Sequence, residues 1–507
     1  MPISVEFVPI GQCTANHVMT HMSGPPACFL DGVRQVQDLW DDWNVGQWQS
    51  TKMVTYSRKV SRAKYSWWGG LYQPASSLQR LSLMFVQRNA AWLSLACLVS
   101  FLLGCAEGSM HMRTPLGARD DGHMDILSRI HAKHHVGEHE GEHHGTPNVP
   151  SGSQLLTLPV GNSGEKIAAY WSLNVNNQKV EHAFIMMHGR YRNGDHYWTI
   201  MNDAVESARK SNAFSSSKEV VVVAPEMYST KLNKGQYDNE TLAWGGGNAW
   251  IAGAIATHPK GTNLTSMDAL DAFLDHFSDK SEFPNLKNIT LVGHGGGGQL
   301  MNRYAATGKD VTNKDIYVRY IVGDPSSSAY FTYHRPVTNT AIADINDCNG
   351  YNTWRYGFHE FPGTLDSKVT PQDYFGRYLS RDVVNIIGLQ DVDTNHGDQS
   401  CMAVLQGGHK RRDRNLSWWR YINLLSRTGA NLAGFPGNFS DLPDWSSAMS
   451  EGKINTRLAI VEDASHNAAK IFSSKVGRSA LFNDYEVEMG WRPEEWHKNQ
   501  KHYEKRG

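Results

Sequence analysis

Cysteine and unbalanced charge are both scarce in this chain of 507 residues, and each scarcity excludes something. Lys and Arg (49) offset Asp and Glu (50) to a net charge of −1. That balance removes the electrostatic argument for nucleic acid or an anionic membrane surface as a partner. There are 6 cysteines, and beyond residue 105 only Cys348 and Cys401 remain. Two are too few for a disulfide scaffold and leave either one bridge or two buried thiols. Long hydrophobic runs are scarce too. The one long uncharged apolar run, Ala90 to Cys105, is short for a membrane span, which needs about 20 residues. It has about the length of a signal-peptide core.

What is present before residue 154 does not read as a folded domain. Met84 stands just ahead of the apolar run, Arg88 supplies a positive flank, and Gly104, Ala106 and Gly108 follow it. Residues 84–109 are therefore expected to be a signal peptide cleaved near Ala106 to Ser109. The alternative is a signal anchor that keeps residues 90–105 in a membrane. Residues 1–83 show no sustained period of 2 or 3.6 and read as an unstructured or gene-model extension, with Met84 as the initiator. Residues 110–153 are rich in Gly, acid and His (His131, His134, His135, His139, His143, His144). Irregular spacing and the lack of Cys favour a disordered linker or propeptide over metal capture. Five N-x-[ST] sequons lie past the apolar run, at Asn239, Asn263, Asn288, Asn415 and Asn438. Asn288 abuts an expected strand, which leaves the other four as candidate glycosylation sites.

From residue 154 to 485 the pattern becomes regular. Short apolar runs occur at Leu155–Val160, Ile167–Leu173, Ala183–Met187, Val220–Ala224, Ile289–Val292, Val318–Val322, Val383–Ile387 and Leu458–Val461. Amphipathic stretches separate the later ones; in Met267–Phe277, Leu270, Phe273, Leu274 and Phe277 fall at helical spacing. The alternation predicts an α/β domain with a mostly parallel twisted sheet of about eight strands and helices on both faces. Two antiparallel-looking strands come first. Residues 486–507 read as a charged tail.

The fifth run leads into Gly293-His294-Gly295-Gly296-Gly297-Gly298 and then a helical segment. Strand, tight turn and helix is the context of a nucleophile elbow, G-x-S-x-G, but the serine is lacking: Gly295 stands in its place. Gly293, Gly295 and Gly298 also satisfy G-x-G-x-x-G, with Asp324 closing the next run, so a dinucleotide fingerprint competes. A bare glycine turn is the third reading. The surroundings decide. His188-Gly189-Arg190 leaves the third run and can aim backbone N–H groups at an oxyanion. Asp391 follows the seventh run and His466 the eighth. Oxyanion turn, elbow, acid and histidine is the chain order of a hydrolase site. The fingerprint, by contrast, lies after several strands rather than opening its domain. Asp391 to Asn395 also resembles the start of an EF-hand loop, but His396 sits where glycine is needed and Met402 where the bidentate Glu belongs. No cofactor and no metal are expected.

The segments around these residues resemble a secreted branch of α/β-hydrolase-fold proteins found in fungi and bacteria. Leu291 to Ala305 (LVGHGGGGQLMNRYA) is similar to its GHSAGGQ…RYA elbow, and His188 to Asp203 to its HG…R(N/D)…D-Y segment. Cys348 to Gly357 and Asp398 to Gly407 resemble its paired cysteine segments, and Ala464 to Phe472 its GHD…MF histidine segment. The resemblance spans roughly Leu155 to Phe482. It implies one hydrolase domain with an inserted lid region, Asp391 as triad acid with Asp393 as fallback, His466 as base, and a Cys348–Cys401 bridge. It also implies that Gly189, Arg190, Gly293, Gly296 and Gly297 form the oxyanion and elbow backbone, and that His294 points away from the site.

Gly295 departs from that pattern. No acyl-enzyme can form where there is no side chain, and Ser326, Ser327 and Ser328 could line the pocket without replacing it. Glycine is tolerated because the elbow backbone costs a residue with a Cβ about 1–3 kcal/mol. The expectation is an esterase- or lipase-like protein of weak or altered hydrolase activity on a small ester-like ligand. The alternative is a secreted pseudoenzyme that binds through the old pocket, which Trp244, Trp250 or Trp354 would then plug.

Overall fold

The structure is a computed structural model that describes residues 140–504, apart from 212, 216, 247, 365–367, 451 and 484–485. The expected upstream extension, signal segment and most of the linker, with His131, His134, His135 and His139, lie outside the described residues. Among the described residues no helix is long and apolar enough to cross a membrane.

The chain opens with β1 (Ser153–Pro159), β2 (Lys166–Ser172), β3 (Val180–Met187), α1 (Gly194–Lys210) and β4 (Glu219–Glu226). Two short strands, β5 (Tyr228–Ser229) and β6 (Ala243–Trp244), pair with each other apart from the main sheet. There follow α2 (Ser266–Ser278), β7 (Asn288–His294), α3 (Gly296–Thr307), β8 (Tyr317–Gly323), α4 (Pro371–Ser380) and β9 (Asp382–Gly388). The chain closes with α5 (Cys401–Val404), α6 (Arg411–Leu425), β10 (Arg457–Val461), α7 (Ala468–Ser473), α8 (Lys475–Phe482) and α9 (Glu494–Glu504). All eight apolar runs become the strands of one sheet, ordered β1-β2-β4-β3-β7-β8-β9-β10. β2 pairs antiparallel with both β1 and β4, and every other pairing is parallel.

The central strands are apolar at successive positions because both faces are covered. Along β3, Ala183, Ile185 and Met187 join the core under α2, α3, α4 and α6. Phe184 and Met186 join the opposite core under α1, α7 and α8. The period of 2 thus sorts one strand between two layers. α2 begins at Thr265, whose side chain and that of Asp268 form a capping box, which fixes the helix start one residue ahead of the amphipathic stretch. The insertion between β8 and α4 is no loose flap: Tyr330, Phe331, Phe358 and Phe361 are buried in the larger core, and the Phe331 and Phe358 rings stack at 5.1 Å.

Two expectations, on the linker and on Asn415, are corrected, and the C-terminal tail is placed. The last part of the supposed disordered linker is ordered: the His143 amide donates to the Leu232 carbonyl at 2.7 Å, and Gln236 reaches the Gly145 carbonyl at 3.1 Å. The backbone of this segment finds partners that its solvated composition does not advertise. The charged C-terminal tail packs on the domain. Gly490 runs alongside Ile460, whose amide donates to Met489 and whose carbonyl accepts from Trp491, each at 3.0 Å. Trp491 and Trp496 pack against a small core with Ile387, Leu458 and Ile460. Of the candidate glycosylation sites, Asn239, Asn263 and Asn438 are exposed. Asn415 is not, with 7% exposure and its amide donating to the carbonyls of Pro325 and Arg411. A glycan has no room there in the folded chain.

Cys348 and Cys401 are joined, with Cα atoms 5.8 Å apart. The bridge ties the insertion after β8 to the segment after β9. Closing that loop contributes about 4 kcal/mol in the chain-entropy account. Reduction, or Cys348→Ala with Cys401→Ala, should lower the urea-unfolding free energy by about that amount, measured at equilibrium with and without a reductant.

Candidate functional site

The turn after β7 is built by close approach. A Cβ on Gly298 would stand 2.1 Å from the Gly323 carbonyl oxygen, and one on Gly297 would stand 2.7 Å from the carbonyl oxygens of Met187 and His188. A Cβ on Gly293 would meet the Gly297 carbonyl at 2.2 Å. Only glycine lets α3 sit this tightly on β3, β7 and β8. Gly295 itself has φ 60° and ψ −112°, the left-handed φ that L side chains rarely adopt. Its amide donates to the Gly323 carbonyl at 2.9 Å. The glycines therefore specify packing and a sharp turn, and the dinucleotide reading finds no support: His466 stands over Gly295, with its Nε2 3.0 Å from where a Cβ would lie.

His466 comes from the loop between β10 and α7, and Asp391 from the turn after β9. Asp391 Oδ2 accepts from His466 Nδ1 at 2.9 Å. Asp393, the fallback acid, is exposed and pairs with His396 at 2.6 Å instead. Arg411, the first residue of α6, grips Asp391 from the other side: Nη2 donates to Oδ1 at 2.7 Å and Nε to both oxygens at 3.0 Å. Burial pushes the Asp391 carboxyl up, but the hydrogen bonds from His466 and Arg411 outweigh it and hold the pKa down at about 2. Burial and neighbouring His294 lower the His466 pKa, against the opposing pull of Asp391. The His466 side chain remains 33% exposed at the rim, so it can be reached from solvent.

His294 does not point away as expected. Its ring lies 4.5 Å from that of His466, centroid to centroid, and its Nε2 faces Asp324 Oδ2 at 3.4 Å. On its other side Tyr197 Oη lies 3.5 Å from Nδ1. Burial lowers the His294 pKa to about 4. Burial, then Asp391, raises that of Asp324 well above the carboxylate range. Asp324 also has φ 41°, a conformation uncommon outside glycine and often found where a site fixes the backbone.

The His188-Gly189-Arg190 turn leaves β3 beside the elbow. A Cβ on Gly296 would stand 3.2 Å from the Arg190 amide nitrogen, 3.1 Å from Ile251 and 3.3 Å from Trp250. The turn is held by His188, whose Nδ1 is 2.7 Å from the Gly189 carbonyl and whose Nε2 accepts from the Met227 amide at 2.9 Å. Ser326, Ser327 and Ser328 are buried, and Ser327 Oγ donates to Gln299 at 2.7 Å. Trp244 and Trp250 are fully buried, and Trp354 donates its ring N–H to the Ala252 carbonyl at 2.7 Å. A cleft of about 750 Å³ lies beside β10, lined by Val461, Glu462, Asp463, Lys475, Trp491 and Arg492 among others; its lining holds no residue of the elbow.

Sequence reading missed Arg411, which stands in an Arg-Arg-Asp-Arg run with no positional signal. It met Asp324 only as a term of the rejected fingerprint, although its place one residue past β8 was a usable sign.

No protein-family model and no curated protein matches the chain. Among solved structures it is similar to a poly(3-hydroxybutyrate) depolymerase from Bordetella parapertussis, at 16% identity over 69% of this chain and 95% of that one, with a TM-score of 0.42. A poly(aspartic acid) hydrolase from Sphingomonas sp. KT-1 is 15% identical over 64% of this chain and 96% of its own, with a TM-score of 0.40. An esterase from Pyrococcus furiosus is 14% identical over 71% and 99%, with a TM-score of 0.28. The strand order, with the glycine elbow after β7 and the acid and histidine after β9 and β10, is α/β-hydrolase-like.

His182 and His188 are buried and neutral, and burial lowers both pKa values to about 3. The unfolded value is about 6.5, so the unfolded chain binds more protons below that pH. Stability from these rings is complete above about pH 6.5 and is lost as pH falls toward the folded values. The urea midpoint should drop between about pH 6.5 and 4, and His182→Gln should lessen the slope.

Proposed function

We propose that this chain is an esterase-like hydrolase of the α/β-hydrolase class that works without a nucleophilic side chain. The supporting observation is the Asp391–His466 hydrogen bond at 2.9 Å, with Nε2 turned toward the empty side of Gly295. In this reading Nε2 takes a proton from water and the hydroxide attacks the ester carbonyl carbon. The oxyanion is held by the backbone N–H groups of Arg190 and Gly296. The carbon–oxygen bond then breaks, and the alkoxide leaves with the proton from His466. Asp391, fixed by Arg411, keeps Nδ1 protonated and the ring oriented. Catalysis of this kind is slow, about 10³–10⁴-fold over water. The motif-level resemblance to the secreted fungal and bacterial branch supports the ester class, and the Cys348–Cys401 bridge supports export to an oxidising compartment.

A second reading, a binding module, draws on the packing of Trp250 and Ile251 against Gly296, which narrows the space where a substrate carbonyl must sit.

Gly295→Ser decides between them. A serine Cβ would lie 3.0 Å from His466 Nε2, so the exposed ring must give by a few tenths of an ångström, at a stability cost of about 1–3 kcal/mol. The variant should raise p-nitrophenyl acetate hydrolysis at least about tenfold over the parent, and adding His466→Ala should erase the gain. A folded serine variant as inert as the parent would give the binding module the lead. Separately, Arg411→Met should cost about 3–5 kcal/mol, read by urea unfolding, because it leaves Asp391 buried with its charge half compensated.

A further inference from the structure

Beside His466, among the described residues, lie two buried polar atoms with no hydrogen-bond partner. They are His294 Nε2 and Asp324 Oδ2, and they face each other at 3.4 Å. Their residues are 2% and 0% exposed. Leaving such groups unpaired costs roughly 1–3 kcal/mol each, so a pair of them aimed at one point calls for a shared partner. One donor atom from each of His294, Asp324 and His466 lies within 4.8 Å of the other two.

We propose that His294, Asp324 and His466 form a binding site for a divalent transition cation of the zinc class. Two imidazoles and a carboxylate are a ligand set that such ions take with one position left for water. Ligand atoms about 2.0–2.2 Å from a tetrahedral ion stand about 3.3–3.5 Å apart, and the 3.4 Å between His294 Nε2 and Asp324 Oδ2 already has that spacing. Asp324 is aimed by its other oxygen, Oδ1, which accepts from the Gly388 amide at 3.0 Å. His466, the exposed member, closes the remaining ångström or so from the rim. Taken up through Nε2, the cation leaves the Asp391 hydrogen bond in place, so that a carboxylate orients the ligating ring as in other metal sites. Arg411 acts as a positive charge on all three residues, and Asp391, which it grips, offsets that charge. Gly295 leaves His466 Nε2 clear, since a Cβ there would stand 3.0 Å from it. This departs from the sequence expectation of no metal. It does not rest on the ester-hydrolase reading, because binding is measured without substrate and the ester assays are run on metal-stripped protein.

The test is titration of the metal-stripped full chain with Co²⁺, followed by visible absorption. The parent should develop the intense bands of four-coordinate cobalt, and Zn²⁺ should displace them. His466→Ala should abolish the bands, and Asp324→Asn should weaken binding at least about tenfold. His143→Ala with His144→Ala, in the histidine-rich segment, should leave them intact. Should Asp324→Asn fail to fold, His466→Ala and His466→Gln decide alone. The proposal is overturned if the folded parent gives no such bands, if they survive the loss of His466, or if they vanish with His143 and His144.

Discussion

The site depends on a carboxylate that is buried yet stays ionised. Asp391 is 1% exposed, and an unpaired charge at that depth would cost several kcal/mol. Arg411 supplies the countercharge and His466 the remaining hydrogen bond, so each partner makes the presence of the other tolerable. Arg411 also donates to the His396 carbonyl at 2.7 Å, which ties the loop after β9 to α6. The pair that orients the histidine therefore also fixes the loop that carries the acid. Geometry and stability are coupled here through one guanidinium.

That coupling explains why the turn at Gly295 keeps its surroundings with no side chain of its own. The Asp391–Arg411–His466 chain needs nothing from residue 295. The glycines at 293, 297 and 298 are held by the packing of α3 on the sheet, whatever chemistry takes place above them. A change from serine to glycine at 295 would relieve strain in the turn and leave both sets of contacts alone.

The sheet was legible because its central strands are buried on both faces and so read as uninterrupted apolar runs, as in Val220 to Ala224. The acid and the histidine were legible because each lies just past a strand end. What stayed hidden depends on long-range contact. Arg411 lies among other charged residues and gains its meaning only when α6 folds across the turn after β9. The direction of His294 was taken from resemblance, and its buried contact with Asp324 and His466 comes from strands separated in sequence. The C-terminal residues look solvated because Glu and Lys dominate them, while the two tryptophans that anchor them are easily passed over. Asn415 matched a sequon, but its helix turns that side chain inward.

The seating of Gly490 beside Ile460 bears on how the molecule meets copies of itself. β10 is the last strand of the sheet, and a bare last strand offers a row of amide and carbonyl groups to any passing chain. Met489 and Trp491 occupy that row, and the fit is so close that a Cβ on Gly490 would lie 1.9 Å from the Ile460 carbonyl oxygen. The final segment thus fills, from within the chain, backbone positions along β10 that a second chain would otherwise pair with.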